Sequence, residues 1–200
     1  MKIGIMGGTF NPIHNGHLLL AETAKKEGNL DEIWFMPSGL PAHKSNSELI
    51  SSDHRLAMVQ LAVNGMANYS ASSYEIDRLG FTYTADTMEG LSNEFPEHEF
   101  YFIIGGDSLM KFHHWVKPEV ISKHTSLLAA GRNGYSVEDL QKQAENLYHL
   151  FGTKVTLISM PELNISSNEI RNCIKHNPEE IRKDIPESVY NYILEHRLYL

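Results

Sequence analysis

Short apolar runs that end at glycine or proline recur along this 200-residue chain, each followed by a stretch with helical spacing. That alternation limits the possible folds more than any other feature. "KIGIMG" (2–7) reads as a buried strand closed by Gly7-Gly8, and "HLLLAETAKKEG" (17–28) as a helix stopped by Gly28. "EIWFMP" (32–37) is a second strand, 38–52 a polar loop, and Asp53 caps a helix to about Met66 whose apolar spacing runs through Leu56, Val59, Gln60 and Val63. "SASSYEI" (70–76) is a weaker strand and 84–95 a helix. "EFYFIIGGD" (99–107) is the clearest buried strand, followed by strands at 125–131 and 154–159 and helices at 136–150, 167–176 and 187–196. Strands alternating with helices make right-handed βαβ units. The expected fold is therefore α/β, a Rossmann-like parallel sheet flanked by helices on both faces. With no internal repeat, residues 1–200 are expected to form a single domain, with the C-terminal helices from about 165 packing on the sheet. Ligands of such sheets bind beyond the carboxyl ends of the strands. Three segments are placed there by the pattern: Gly7–His17, Gly105–Trp115 and Ile165–Arg171.

Composition narrows the function. A net charge of −8 without a basic run argues against nucleic acid and anionic membrane as partners, but not against a small anionic substrate. The one cysteine, Cys173, rules out an intramolecular disulfide and suggests a reducing, cytoplasmic compartment. The N-terminus lacks a signal-peptide core, and no apolar run reaches the ~18 residues of a membrane span.

The first strand opens into "GGTFNPIHNGH" (7–17). Gly4, Gly7 and Gly8 do not have G-x-G-x-x-G spacing, and no G-K-[ST] occurs, so neither the usual dinucleotide loop nor a Walker A loop is present. What remains is a strand, a Gly-Gly turn, Thr9-Phe10, and His14 and His17 at the start of a helix. A helix N-terminus offers free N–H groups and positive partial charge to an anion, and imidazole adds a donor. A zinc site needs further ligands at suitable spacing, which His113-His114 do not supply. A second anion-binding pattern stands in "ISSNEIR" (165–171), where Ser166 or Ser167 caps a helix and Arg171 lies one turn in, able to pair bidentately with phosphate.

The two motifs together resemble the signatures of the nucleotidylyltransferase superfamily, H-x-G-H and I-S-S-x-x-[IV]-R, in the family's order. Further segments are similar to those of nicotinate-nucleotide adenylyltransferases: "GFTYTADTMEGL" (80–91), "FIIGGDSLMKFHHW" (102–115), in which Gly106 replaces the usual alanine, and "AAGRNG" (129–134). "LPAHKS" (40–45) matches the family's P-P-H-K loop except at Ala42. Pantetheine-phosphate adenylyltransferases share the phosphate motifs but lack the Y-T-x-D-T and G-x-D-S-L…W pair. The phosphate motifs are also compatible with a nicotinamide-mononucleotide adenylyltransferase and with a non-catalytic nucleotide sensor.

The resemblance implies transfer of the adenylyl group of ATP to nicotinate mononucleotide, giving deamido-NAD and pyrophosphate. It implies His14, His17, Lys44 and Arg171 as the charge-stabilising groups. ATP would meet Gly7, Gly8, Thr9, Phe10, His17, Gly105, Asp107 and Arg132, together with Ile165, Ser166, Ser167 and Arg171. The mononucleotide would meet Thr9, Phe10, His43, Lys44, Tyr83, Thr84 and Trp115, with Trp115 stacking on the pyridine. Backbone N–H groups near Tyr83-Thr84 favour a carboxylate, whereas a carboxamide brings an NH₂ that needs an acceptor. Mg²⁺ would ride mainly on the ATP phosphates, with no protein metal site. The apolar stretch "VYNYILEHRLYL" (189–200) is compatible with a homodimer or with packing on the chain's own sheet.

Overall fold

The computed structural model describes residues 1–41, 49–131, 135–161 and 165–200. Its centre is a six-stranded, wholly parallel sheet of β1 (Lys2–Gly8), β2 (Glu32–Pro37), β4 (Tyr69–Ala71), β6 (Glu99–Gly105), β7 (Ser126–Gly131) and β8 (Val155–Ser159), in the order β4-β2-β1-β6-β7-β8. β3 (Leu40–Pro41) and β5 (Phe81–Thr82) form a separate parallel pair beside it. The strand order reverses between β1 and β6, so the chain leaves β1 toward one edge and returns through β6 toward the other. The crevice outside the carboxyl ends of these two strands is the topological switch point of a doubly wound sheet.

Helices cover both faces. Residues of α1 (Asn15–Glu27), α2 (Ser52–Val63), α7 (Ser167–His176) and α8 (Glu187–Glu195) share one apolar cluster with Ile33 and Ile103 of the sheet. Residues of α3 (Thr84–Glu94), α4 (Gly106–Lys111), α5 (Pro118–His124) and α6 (Val137–Phe151) share the other with Ile3, Ile5 and Phe102. Strands buried on both faces explain the continuous apolar runs of β1 and β6. Among the described residues no helix is long and apolar enough to cross a membrane. The C-terminal stretch packs inside the chain, with Val189, Tyr190, Ile193 and Leu198 all buried.

Three local expectations are corrected. The strand expected over 70–76 ends at Ala71, because Ser72, Ser73 and Asp77 bond locally instead. The Ser73 hydroxyl donates to Asp77 at 2.6 Å and Tyr74 N–H donates to the Ser72 hydroxyl at 3.3 Å. The helix expected from Asp53 is capped by Ser51 and ends at Val63, with Asp53 in its first turn. Its buried face runs Arg55, Met58, Val59, Ala62, Val63, one position out of phase with the expected stripe, and Gln60 is exposed. The clearest strand, expected over 99–107, stops at Gly105, where α4 begins at once. α4 and α5, which the sequence pattern does not signal, connect β6 to β7.

Candidate active site

A cavity of about 440 Å³ opens at the switch point. Gly7, Gly8 and Thr9 of the first motif form one wall, Gly105 and Asp107 another, and Thr84 and Trp115 close the far end. Segments about a hundred residues apart in sequence thus reach one crevice, as the alternating pattern requires. Gly7 has no room for a side chain, since a Cβ would come within 2.9 Å of the Phe102 ring.

His17 lines this cavity, and His14 lies beneath it, 4% exposed, with ring centroids 3.7 Å apart and planes 27° from parallel. The His14 backbone N–H donates to His17 Nδ1 at 3.2 Å. With Nδ1 an acceptor, neutral His17 carries its proton on Nε2 and presents an N–H donor. Phe10 fixes the ring from the side, edge-on at 5.1 Å. Phe10 takes a left-handed backbone, φ 48°, that a bulky residue adopts only when its surroundings impose it, and its side chain is 2% exposed.

The second motif is bonded to the first. Ser166 caps α7, accepting from Glu169 N–H at 3.2 Å, which leaves the Ser167 hydroxyl to donate to the Pro12 carbonyl at 3.0 Å. Arg171 donates through Nη1 to the Asn11 carbonyl at 2.9 Å and through Nη2 to Asn168 Oδ1 at 3.1 Å. Ile165 packs against the core next to these residues. His43, Lys44 and Arg132 lie outside the described residues.

At the other end Trp115 is half-buried, edge-on to Phe102 at 6.0 Å and tilted on Phe112 at 5.3 Å. It therefore both packs on the core and lines the cavity. A second cavity of about 230 Å³, lined by Tyr83, Thr84 and Trp115, adjoins this end. Tyr83 N-caps α3, so Thr84 opens a helix whose first N–H groups have no intrahelical partner. Asp107, exposed in the first turn of α4, faces the cavity from the β6 side.

Two residues that shape this site carry no motif in the sequence. Arg55 is 1% exposed and donates to the carbonyls of Thr9 and Gly39, each at 2.9 Å, so it ties the end of β1 to the end of β2. Burial pulls its guanidinium below the usual arginine range. Glu75 lines the cavity and accepts from the Thr87 hydroxyl at 2.7 Å; burial pushes its carboxyl upward, and the Thr87 bond opposes that shift. Arg55 carries no sequence signal, because it lies one position off the stripe that the helical spacing suggests. Glu75 carries none either, because its segment has the propensity of a strand.

Comparison with known proteins agrees with the geometry. The cytidylyltransferase-like family matches residues 5–173. A protein of Lachnoclostridium phytofermentans named "Probable nicotinate-nucleotide adenylyltransferase" is 44% identical over 199 residues, covering 100% of this chain and 99% of that protein. One of the same name from Listeria monocytogenes is 40% identical, covering 99% and 97%. Among solved structures, Plasmodium falciparum nicotinic acid mononucleotide adenylyltransferase complexed with NaAD superposes with a TM-score of 0.82 at 24% identity, covering 99% of this chain and 97% of that one. The same enzyme complexed with APC gives 0.79 at 23%.

Proposed function

The chain belongs to the nicotinate-nucleotide adenylyltransferase family, and we propose that it carries out that family's reaction in the crevice between β1 and β6: it transfers the adenylyl group of ATP to nicotinate mononucleotide, giving deamido-NAD and pyrophosphate. The observation that carries this reading is the single cavity joining the glycine loop and His17 to Thr84 and Trp115. It offers phosphate donors at one end and a flat aromatic surface at the other.

A phosphate oxygen of the mononucleotide attacks the α-phosphorus of ATP. A new P–O bond forms, the bond to the oxygen bridging to the β-phosphorus breaks, and pyrophosphate leaves with that electron pair. The nucleophile is already an anion, so catalysis consists of alignment and charge stabilisation. The Nε2–H of His17 donates to the ATP phosphates as charge moves onto the leaving group. His14 supports that ring from below and holds its tautomer through the backbone. Gly7, Gly8, Thr9 and Phe10 let the phosphates approach the backbone. Ser166, Ser167 and Arg171 bring the second helix terminus to the same place, with Ile165 as the packing anchor. Gly105, Asp107 and Arg132 serve the rest of ATP, with the Asp107 carboxylate suited to ribose hydroxyls. His43 and Lys44 complete the charge balance as the two phosphates meet.

Trp115 stacks on the pyridine, and the opening N–H groups of α3 at Tyr83-Thr84 donate to its carboxylate. Mg²⁺ fits this site as an ion carried by ATP, because Mg²⁺ keeps water and phosphate ligands and needs few from protein. When bound it neutralises phosphate charge. The half-buried Cys173 thiol suits a reducing cytoplasm as the place of reaction.

A pyrophosphate-release assay with nicotinate mononucleotide, nicotinamide mononucleotide and phosphopantetheine as separate acceptors tests the reading. The expected result is turnover with nicotinate mononucleotide at the highest kcat/KM of the three. A higher value with either of the remaining acceptors would reassign the substrate, and nucleotide binding without turnover on any acceptor would make the chain a sensor.

A further inference from the structure

The acceptor in this reaction carries a fixed positive charge on its pyridine nitrogen as well as a negative carboxylate. A site that takes it in must place both. Among the described residues that line the cavity there is no lysine or arginine, and there are two carboxylates, Asp107 and Glu75. Asp107 is exposed and stands on the β6 side, next to Gly105. Glu75 stands elsewhere, on the segment between β4 and β5. Its neighbours along the cavity wall are Thr82 and Thr84, which also flank Trp115.

The position of Glu75 is built. Its carboxylate accepts from Thr87 on the first turn of α3, and the Thr82 hydroxyl adds to the same effect. Its backbone closes on the end of β2, where Gly39 alone fits: a Cβ there would collide with the Glu75 carbonyl. Among the described residues the carboxylate makes no ion pair. Arg55 directs its Nη donors to the Thr9 and Gly39 carbonyls, so that it, like Arg78, acts on Glu75 only at longer range. A half-buried carboxylate held by hydroxyls, with the guanidinium groups among the described residues acting only at longer range, is costly unless something positive joins it.

We propose that Glu75 is the counter-charge for the pyridinium of the acceptor, so that the site reads a zwitterion: Glu75 faces the ring cation while the first turn of α3 takes the ring carboxylate. This rests on the activity proposed above and makes Glu75 a specificity-determining residue for the charge state of the ring. Burial raises the carboxyl's affinity for a proton in the empty site, and an arriving pyridinium favours the ionised form. The carboxylate does not select nicotinate over nicotinamide, since both rings are cationic; that choice belongs to Tyr83-Thr84.

The test compares nicotinate mononucleotide with the C-nucleotide 5′-phosphate of benzoate, which keeps the shape, carboxylate and phosphate but has a neutral ring. Wild-type protein should bind the pyridinium compound more tightly, by between about 10- and 100-fold, the scale of one opposite charge in a partly screened cavity. Glu75→Gln should remove most of that preference while leaving KM for ATP unchanged, and Glu75→Asp should restore it. Equal affinity of the wild type for the two rings overturns the proposal without any variant. So does a Glu75→Gln protein that retains the full preference, or one that loses both acceptors equally with ATP unaffected. Failure of wild-type protein to turn over either mononucleotide would instead overturn the activity on which the proposal rests.

Discussion

The two ends of the cavity are held in different ways. The phosphate end is braced by four side chains. Arg171 and the Ser167 hydroxyl on α7 bind the carbonyls of Asn11 and Pro12, Arg55 on α2 binds that of Thr9, and Tyr199 from the C-terminal tail donates to Asn11 Oδ1 at 2.9 Å. The pyridine end rests on lighter supports. Phe81 of β5 is 59% exposed, Thr82 reaches the Leu40 carbonyl only at 3.5 Å, and the Asp86–Lys117 ion pair spans 3.8 Å at the surface. Preorganised donors act in the transition state, so they must be rigid before substrate arrives. A stacking surface that mainly sorts acceptors can adjust as it binds. Damage at the phosphate end should therefore appear in kcat or in KM for ATP, and damage at the pyridine end in KM for the mononucleotide.

Removing the tie between the ends of β1 and β2 is the most severe way to break this comparison. Arg55→Ala strips three carbonyls, those of Thr9, Gly39 and Ile50, of their donor and leaves a void. A stability loss of about 3–5 kcal/mol in urea denaturation is expected from the unpaired groups and the void. A loss under about 1 kcal/mol, no more than one ordinary hydrogen bond, would show that the frame does not depend on it. Next is His17→Ala, which should lower kcat by roughly 10²–10³, the scale for losing one transition-state donor. KM for the mononucleotide should stay within a few-fold. Unchanged steady-state turnover in that variant would remove His17 from the phosphate cradle.

Much of this was legible in the sequence because it is carried by local pattern. β1, β2, β6 and β7 are apolar runs, and "GGTFNPIHNGH" and "ISSNEIR" announce helix termini after strands. Their convergence followed from βαβ topology alone. What did not show was which atoms face the crevice. That His14 would lie beneath His17 depends on a backbone N–H donating to His17 Nδ1, which spacing cannot reveal. Arg55 lies one position off the stripe of Leu56, Val59, Gln60 and Val63 that the spacing suggests, and what stabilises a buried arginine is carbonyls from distant segments. Glu75 was hidden because Ser72 and Ser73 divert the backbone from the strand that propensity favoured.

At the pyridine end, Trp115→Ala should raise KM for the mononucleotide by about tenfold, the worth of one aromatic face and its buried area. KM for ATP should not move. An equal loss for both substrates, with unchanged melting temperature, would place Trp115 in the core frame with Phe102 and Phe112 rather than on the substrate.

The smallest expected effect comes from the C-terminal tail. Arg197 and Tyr199 both take left-handed backbones, φ 51° and 66°, so the chain after α8 turns back on itself and brings the Tyr199 ring toward the first motif. Burial pushes the Tyr199 phenol well above its usual range, with Arg171 and Arg55 nearby pulling the other way. The phenol is therefore un-ionised at neutral pH and acts as a donor to Asn11. Tyr199→Phe deletes that one hydrogen bond and keeps the ring's packing, a loss of about 1 kcal/mol. If the phosphate end is as rigid as its four braces suggest, the loss should fall on ATP, as a rise in KM of about two- to fivefold, with KM for the mononucleotide unchanged. Steady-state titration of each substrate at saturating levels of its co-substrate measures both. A rise confined to the mononucleotide would mean that the tail supports the pyridine end, and the division drawn between the two ends would have to be redrawn at Asn11.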